Sequence, residues 1–179
     1  ERRIYMAKTL VIYYSRRGQN YVEGEIKELA KGNTEFVVEY IREAVDADVF
    51  EIQTVKAYAI DYKQCGKEAY AEYKENARPL LKQYIDSVAD YDCIVVAGPS
   101  WCGTYPMAVL TQLERLDFTG KKVFPVITHE GSGLCNAPKT LEKCCKGATL
   151  CDGLAIRGIY AKSSKEEIMN WAINHLLEV

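Results

Sequence analysis

The sequence lacks an excess of charge of either sign. Its 179 residues carry 23 Lys and Arg against 25 Asp and Glu, for a formal net charge of −2. A chain so balanced has no strong field with which to attract nucleic acid or an anionic membrane surface. We therefore expect no nucleic-acid partner. The length suits one domain that buries a full core without disulfides or metals.

Long apolar runs are also missing. No run approaches the ~18 residues that a membrane helix needs, so no membrane span is expected. The opening ERRIYMAKTL has neither an apolar signal core nor a small-residue cleavage site. We expect one domain over residues 8–179, preceded by an N-terminal extension over residues 1–7.

The cysteines lack the pattern of a disulfide scaffold. There are seven, an odd number, at irregular spacing, and Cys93 and Cys144 fall inside apolar strand or helix patterns. Reduced thiols in a cytoplasmic protein fit better. Metal-ligand spacing and a nucleophile beside a base are missing as well. No metal site is predicted, a hydrolase is disfavoured, and no side chain is assigned a catalytic role.

Short apolar runs separated by helical patterns predict the fold. Runs of successive apolar residues are typical of strands covered on both faces. They occupy residues 10–14, 93–97, 123–128 and 154–159, with a more mixed, edge-like run at 48–52. Helical spacing fills the intervals. This alternation predicts an α/β three-layer sandwich with a five-stranded parallel sheet in the order 2-1-3-4-5.

The Tyr-rich stretch over residues 56–90 is harder to interpret. It predicts one helix near residues 66–76, a break at Pro79 and then a second helix. The stretch could cover a binding site or form a dimer contact, and the sequence leaves both open.

Polar residues after the first strand suit a phosphate. Ligands of such sheets bind beyond the carboxyl ends of the strands. Ser15 follows the first strand, while Asn33 and Thr34 open the first helix after an intervening stretch that would loop outward at little entropic cost. A helix N-terminus offers free N–H groups and a favourable dipole to an anion. Alternatively, Asn33 or Thr34 only caps the helix and Ser15 only serves a turn.

Two further loops follow strands at the same edge. GPSWCGTYP, residues 98–106, holds a Trp that could cover a flat aromatic ring or pack on a neighbouring loop. THEGSG, residues 128–133, has glycines that let the backbone approach a ligand closely. A ligand with a phosphate at one end and a planar heterocycle at the other would touch all three loops. G-x-G-x-x-G and G-x-x-x-x-G-K-[ST] are both absent, so no dinucleotide or P-loop fingerprint is present.

These segments, in this order and each after a strand, resemble the flavodoxin-like flavoproteins. YYSRRG with a later GNTE, GPSWCGTYP and THEGSG resemble in particular a bacterial branch with an insertion in the phosphate loop. The resemblance runs from about residue 8 to the C-terminus and implies non-covalent FMN. The implied contacts are Ser15, Arg17, Asn33 and Thr34 at the phosphate, Pro99, Ser100, Trp101, Cys102, Gly103 and Thr104 along one side of the isoalloxazine, and Glu130, Gly131, Ser132 and Gly133 along another.

One departure from the family concerns the wall of the flavin site. Relatives often show two aromatic residues where this chain has Trp101 and Cys102, so the wall could be thinner or more open. Gly103 suggests a second hypothesis, because a peptide without a neighbouring Cβ could flip and let a carbonyl accept a hydrogen bond from N5 of reduced flavin.

The resemblance implies an FMN oxidoreductase that takes hydride from NADH or NADPH and reduces a quinone or similar acceptor. The alternative is a flavodoxin-type one-electron carrier that docks on redox partner proteins. Many carriers of this family are strongly acidic, so the balanced charge favours the enzyme. A fold that has lost FMN and serves only as an interaction domain is disfavoured by the intact loops.

Overall fold

A computed structural model describes residues 5–178 and contains eight strands and five helices in that range. The strands are β1 Thr9–Tyr13, β2 Gly18–Val22, β3 Glu25–Leu29, β4 Asp48–Glu51, β5 Cys93–Pro99, β6 Lys122–His129, β7 Thr149–Leu150 and β8 Leu154–Arg157. The helices are α1 Asn33–Val45, α2 Tyr62–Glu75, α3 Met107–Leu113, α4 Ala137–Cys144 and α5 Lys165–Leu176, with a 3-10 turn at Gly158–Tyr160.

The main sheet has the predicted parallel order. Its strands lie in the order β4, β1, β5, β6, and both β7 and β8 pair with β6 in parallel. The fifth position is therefore filled by two short segments. The expected strand over residues 154–159 ends at Arg157, where the 3-10 turn begins.

Both faces of the sheet are covered, as the continuous apolar runs predict. Val11 and Ile12 are fully buried on opposite faces of β1. Helices α1 and α5 pack on the face that contains Val11, and α3 and α4 pack on the face that contains Ile12. The carboxyl ends of β1, β5 and β6 consequently meet at one edge of a rigid layer.

The predicted outward loop after the first strand is instead an antiparallel hairpin. β2 pairs with β3 in the register Gly18↔Leu29 to Val22↔Glu25. Glu23 and Gly24 form its two-residue turn with φ of 49° and 84°, which is the backbone of a type I′ turn and matches the right-handed twist of the strands. The intervening residues therefore add a small second sheet to the domain.

The prediction for the Tyr-rich stretch is half right. The helix near residues 66–76 is α2, but no helix follows Pro79 up to β5 within the described chain. Leu80 and Lys82 instead exchange backbone hydrogen bonds with the segment around residues 53–55. The side chain of Gln112 also donates to the carbonyl of Ile85 and accepts its N–H. These tertiary partners replace the bonds of a helix.

The extension predicted at the N-terminus is only partly covered by the described residues. Of the extension expected over residues 1–7, residues 1–4 lie outside the described part, and Ala7 donates its N–H to the carbonyl of Leu177. None of the described helices is long and apolar enough to cross a membrane.

Candidate functional site

The two halves of the predicted phosphate site lie side by side. A Cβ at Gly32 would stand only 2.1 Å from Ser15 Oγ and 2.7 Å from the carbonyl oxygen of Arg16. Ser15 Oγ also accepts the N–H of Glu35, in the first turn of α1, at 3.2 Å. The β2–β3 hairpin leaves the sheet edge and returns to it, so the separation in sequence is not a separation in space.

The start of α1 keeps N–H groups available. Gly32 is its N-cap residue and makes no side-chain capping bond. The first N–H groups of a helix have no acceptor within the helix, and Ser15 satisfies only that of Glu35. Because Ser15 accepts only the N–H of Glu35, the N–H groups of Asn33 and Thr34 remain available to an anion. The hydroxyl of Thr34 is buried and lies 2.7 Å from the hydroxyl of Thr128 at the end of β6.

The loop after β5 is a tight turn braced by aromatic rings. Trp101 and Thr104 exchange backbone hydrogen bonds of 2.8 and 3.2 Å, with Cys102 and Gly103 between them at φ of 55° and 77°. The Trp101 ring meets Tyr14 and Tyr58 edge-on, with centroids 5.2 and 5.1 Å away. The ring thus packs on a neighbouring segment, one of the two alternatives, and still lines the cavity described below.

Gly103 and Thr104 of this loop form hydrogen bonds with the start of α4 and the residue before it. The carbonyl of Gly103 accepts the N–H of Asn136 at 2.9 Å, and the hydroxyl of Thr104 lies 2.6 Å from that of Thr140. The peptide between Gly103 and Thr104 is bonded at both ends. A flip as hypothesised for Gly103 would therefore involve the preceding peptide, between Cys102 and Gly103.

The loop after β6 is tied to itself and to its neighbour. His129 Nδ1 accepts the N–H of Gly131 at 2.9 Å, and the hydroxyl of Ser132 donates to that of Ser100 at 3.4 Å. Burial lowers the pKa of His129, and the charge of Arg157 lowers it further, while the carboxylate of Glu130 opposes both. A neutral imidazole with its proton on Nε2 is consistent with this local bond.

These loops open on one cavity of about 520 Å³, within the range of small-molecule sites. The predicted residues that line it are Ser15, Asn33, Thr34, Pro99, Ser100, Trp101, Cys102, Glu130, Gly131 and Ser132. The predicted residues that do not line it are Arg17, Gly103, Thr104 and Gly133. The lining residues that were not among the predicted contacts are Arg16, Asn20, Tyr21, Tyr62, Cys65, Gly66, Ala69, Thr128, His129 and Gly158.

Arg17 is directed away from the cavity by a neighbour on α1. Its guanidinium makes two hydrogen bonds of 2.7 and 3.0 Å to the carboxylate of Glu35. The hydrogen bond from Arg17 holds the pKa of Glu35 below its usual value. The arginine in the cavity wall is Arg16, one position earlier.

The cavity has a second wall that does not come from the main sheet. It consists of β2 and the start of α2, with Asn20, Tyr21, Tyr62, Cys65, Gly66 and Ala69 facing the cavity, and we call it the hairpin wall. Gln19 Oε1 accepts the N–H of Tyr62 at 2.8 Å, and the rings of Tyr21 and Tyr62 stack with centroids 6.0 Å apart. Arg16 donates to the carbonyls of Gln19, Ala59 and Ile60. The hairpin and α2 are thereby held as one unit.

Glu130 connects the two walls. Its Oε2 accepts the N–H of Glu23, at the tip of the hairpin, at 2.9 Å. Its Oε1 lies 2.6 Å from the point where a Cβ of Gly158 would stand, as does Asn33 Nδ2. The carboxylate therefore lies near the side chain of Asn33, the first residue of α1, and it lines the cavity. Burial raises the pKa of Tyr62, and the negative charges of Cys65 and Glu130 add to the increase.

Weak local signals mark the hairpin wall in the sequence. Glu23-Gly24 between two runs of mixed polarity is an X-Gly pair of the kind found in two-residue hairpins. Cys65, Gly66 and Ala69 recur at helical spacing. Neither signal predicts that the two elements meet over a cavity, because their contacts join residues about 40 positions apart, as in the bond from Tyr62 to Gln19.

Comparison with known families assigns the chain. The profile of the flavodoxin family matches residues 27–175, which is most of the chain. The protein therefore belongs to the flavodoxin family. A search of curated proteins found no significant match.

Solved structures agree with that assignment. A protein from Bacteroides uniformis, assigned as a flavoprotein, is 29% identical, with 92% of this chain and 97% of that chain covered and a TM-score of 0.71. A corresponding protein from Bacteroides eggerthii is 23% identical, with coverage of 92% and 95% and the same TM-score of 0.71. A flavoprotein from Lactobacillus acidophilus, solved in complex with FMN, is 18% identical, with coverage of 90% and 97% and a TM-score of 0.61. The last two show the shared fold.

Proposed function

We propose that this protein binds FMN in the cavity between the sheet-edge loops and the hairpin wall. The observation that supports the proposal best is the convergence of Ser15 with the open start of α1. Gly32 is required there, because any side chain would collide with Ser15 Oγ and the Arg16 carbonyl. The result is a small concave site of hydroxyl and N–H donors at a positive helix end, the chemistry that holds a phosphate.

The rest of the cavity suits the remainder of FMN. Its volume of about 520 Å³ is ample for a flat ring with a ribityl chain. In this proposal Ser15, Asn33 and Thr34 hold the phosphate, and Pro99 to Cys102 together with Gly131 and Ser132 border the ring. When bound, FMN supplies the electron chemistry, and the protein supplies orientation and electrostatics. FMN binding to Arg17, Gly103, Thr104 and Gly133 has no support from the cavity lining.

The phosphate would be held without a free cation. Arg16 directs its guanidinium to three backbone carbonyls, and Arg17 is paired with Glu35. Neutral donors and the helix dipole therefore carry the binding. A phosphate site made of neutral donors recognises its ligand by the positions of the hydrogen bonds as well as by charge.

We infer further that the protein is an NAD(P)H-dependent oxidoreductase that reduces a quinone or a similar flat acceptor. The observation that favours this activity is the hairpin wall. It adds the two rings of Tyr21 and Tyr62, and the small residues Cys65, Gly66 and Ala69, to the lining of the cavity that also includes Trp101. A carrier needs an exposed flavin edge for its partner, whereas a second wall of aromatic and small side chains suits contact with a flat small-molecule acceptor.

The family assignment favours the alternative, a one-electron carrier that docks on redox partner proteins. One experiment separates the two. The purified protein is loaded with FMN, freed of excess cofactor and mixed anaerobically with NADH or NADPH. Rapid bleaching of the yellow colour supports the reductase, and bleaching only after addition of a reductase protein supports the carrier. A protein that does not retain FMN would refute both.

A further inference from the structure

The carboxylate of Glu130 lies near Asn33, at the start of α1, where the proposed phosphate would bind. Its Oε1 and Asn33 Nδ2 each lie 2.6 Å from one point beside Gly158, so the two atoms are within about 5 Å of each other. Asn33 is the first residue of α1. An anion of the protein's own therefore lies near the side chain that opens the helix, at the end whose dipole would attract the phosphate.

The same carboxylate holds the hairpin tip. Glu130 Oε2 accepts the N–H of Glu23 at 2.9 Å across 107 positions of sequence. The other polar ties of the hairpin are at its base, through Gln19 and Arg16. The tip itself is a two-residue turn whose neighbouring strand β3 is largely exposed. Val22, which precedes the turn, is buried, so loss of the bond to Glu130 would loosen the turn itself while the strands of the hairpin stay attached.

No free cation lines the cavity in the described chain, and Arg157, whose charge acts on His129, is not among the lining residues. Among the lining residues in the described chain, Arg16 and Glu130 are those with a full charge, and Arg16 is engaged with backbone carbonyls. A phosphate bound at the start of α1 and the nearby carboxylate of Glu130 repel each other with an energy that depends strongly on their separation and on solvent exposure. The Glu130 side chain is half-buried and lines the cavity, so the cavity offers space for the carboxylate when it leaves the helix end.

We propose that Glu130 competes with the FMN phosphate for the start of α1 and thereby couples cofactor binding to the hairpin. Binding of the phosphate displaces the carboxylate, and displacement releases the N–H of Glu23. Glu130 is in this account a positioning residue that weakens FMN binding and keeps the hairpin closed over an empty cavity. The inference rests on the proposed binding of FMN.

Two substitutions separate the charge of Glu130 from its hydrogen bond. Glu130→Gln removes the charge and keeps an oxygen that can accept the N–H of Glu23. Glu130→Ala removes both. Glu25→Gln, on the exposed strand β3 of the same hairpin, is the matched control. Each protein is freed of flavin and titrated with FMN and with riboflavin, which lacks the phosphate, by flavin fluorescence. Hydrogen exchange of the Glu23 amide is followed with and without FMN.

We expect Glu130→Gln to bind FMN roughly tenfold more tightly than the unaltered protein, because the repulsion between the carboxylate and the phosphate is removed. The affinity for riboflavin should change less than about twofold. Without flavin, the Glu23 amide should be protected in the unaltered protein and in Glu130→Gln, and should exchange faster in Glu130→Ala. Addition of FMN should speed its exchange in the unaltered protein. Glu25→Gln should change none of these values.

The inference is overturned if FMN binds equally well to the unaltered protein and to Glu130→Gln, or if FMN leaves the exchange of the Glu23 amide unchanged. An equal gain for riboflavin would overturn it too, because the effect would then not involve the phosphate. Failure of the proposed function looks different, since neither flavin would then bind to any of the four proteins.

Discussion

The two walls of the cavity are built in different ways. The first wall consists of the loops after β1, β5 and β6, which extend directly from fully buried strands of one parallel sheet. The hairpin wall is attached by hydrogen bonds of the Gln19, Arg16 and Glu130 side chains, by one stacked pair of tyrosines and by few buried side chains, among them Val22 and Cys65. Elements with few buried contacts open at lower free energy than a core sheet does. The first wall can hold a cofactor in a fixed position, while the hairpin wall can change its position when a ligand binds.

The two walls also differ in how much of their apolar surface is exposed. Several large apolar side chains of the hairpin and the α2 region are exposed, including Tyr21, Ile26, Ile60 and Tyr70. In the first wall, by comparison, Val95, Val96 and Ala97 of β5 are fully buried. The apolar surface that would anchor the hairpin wall is thus partly in contact with solvent. Its geometry depends on a small number of polar bonds that mutation can remove one at a time.

A substitution at Gly32 should have the largest effect on the first wall. Gly32→Ala places a Cβ 2.1 Å from Ser15 Oγ and 2.7 Å from a backbone carbonyl. We expect a loss of about 1–3 kcal/mol in the free energy of unfolding and at least a hundredfold loss of FMN affinity. Denaturant unfolding and FMN titration measure the two effects.

Gly66→Ala is the matched control for that substitution. Gly66 lies inside α2 and has no atom within 4 Å of its Cβ position. Alanine there should stabilise the protein by about 0.5–1 kcal/mol. Equal effects of the two substitutions would contradict the close approach of Gly32 to Ser15.

The hairpin wall should detach when Arg16 is removed. Arg16→Ala leaves the carbonyls of Gln19, Ala59 and Ile60 without their donor, at a cost of about 2 kcal/mol. Hydrogen exchange should rise over residues 18–29 and 59–62 and remain slow in β1, β5 and β6. Arg17→Ala, next in sequence but 60% exposed and paired on the surface, should leave the hairpin protected. Uniform loss of protection over both walls would show that they are not separate units.

A substitution in the hairpin wall should change the KM for the acceptor more than the dissociation constant of FMN. Gly66→Leu places a side chain in the cavity mouth, and we expect the KM for a neutral quinone to rise about tenfold, which corresponds to roughly 1.4 kcal/mol. The FMN dissociation constant should change less than twofold. Lys67→Leu adds the same side chain at the next, exposed position of α2. If Lys67→Leu has the same effect on KM, the acceptor does not use this wall.

The smallest expected effect is on the dependence of stability on pH. Arg17 holds the pKa of Glu35 below its usual value, mainly through a side-chain hydrogen bond. A lowered carboxyl pKa contributes stability above the unfolded pKa of about 4.3, and this contribution is lost as pH falls through the folded pKa. Because Arg17 is largely exposed, the contribution should be under about 0.5 kcal/mol. Unfolding of Arg17→Ala and of the unaltered protein at pH 7 and pH 3 should show a larger difference in stability at pH 7 than at pH 3.

The sequence could predict the first wall because its determinants are local. Each loop follows an apolar strand, and parallel strands bring Ser15, Ser100 and Thr128 to one edge regardless of their separation. The hairpin wall depends on pairings between distant polar residues. Nothing in the identity of Gln19 indicates that it accepts the N–H of Tyr62. The same holds for Glu130, whose residue type suits many positions in a loop.

The stretch after Pro79 shows a related limit. Its apolar spacing is compatible with a helix, yet the chain pairs with residues 53–55 and with Gln112. A helix there would compete with these bonds for the same backbone groups. Tertiary partners of this kind decide the structure of a segment whose own preference is weak.

The central claim is that Ser15 and the start of α1 form a phosphate site, and flavin titration tests it most directly. The flavin-free protein is titrated with FMN and with riboflavin under identical conditions, and binding is followed by quenching of flavin fluorescence. We predict that FMN binds at least about a hundredfold more tightly, since charge-assisted hydrogen bonds to the phosphate contribute about 1.5–3 kcal/mol each. Equal affinities for the two flavins would contradict the site described here.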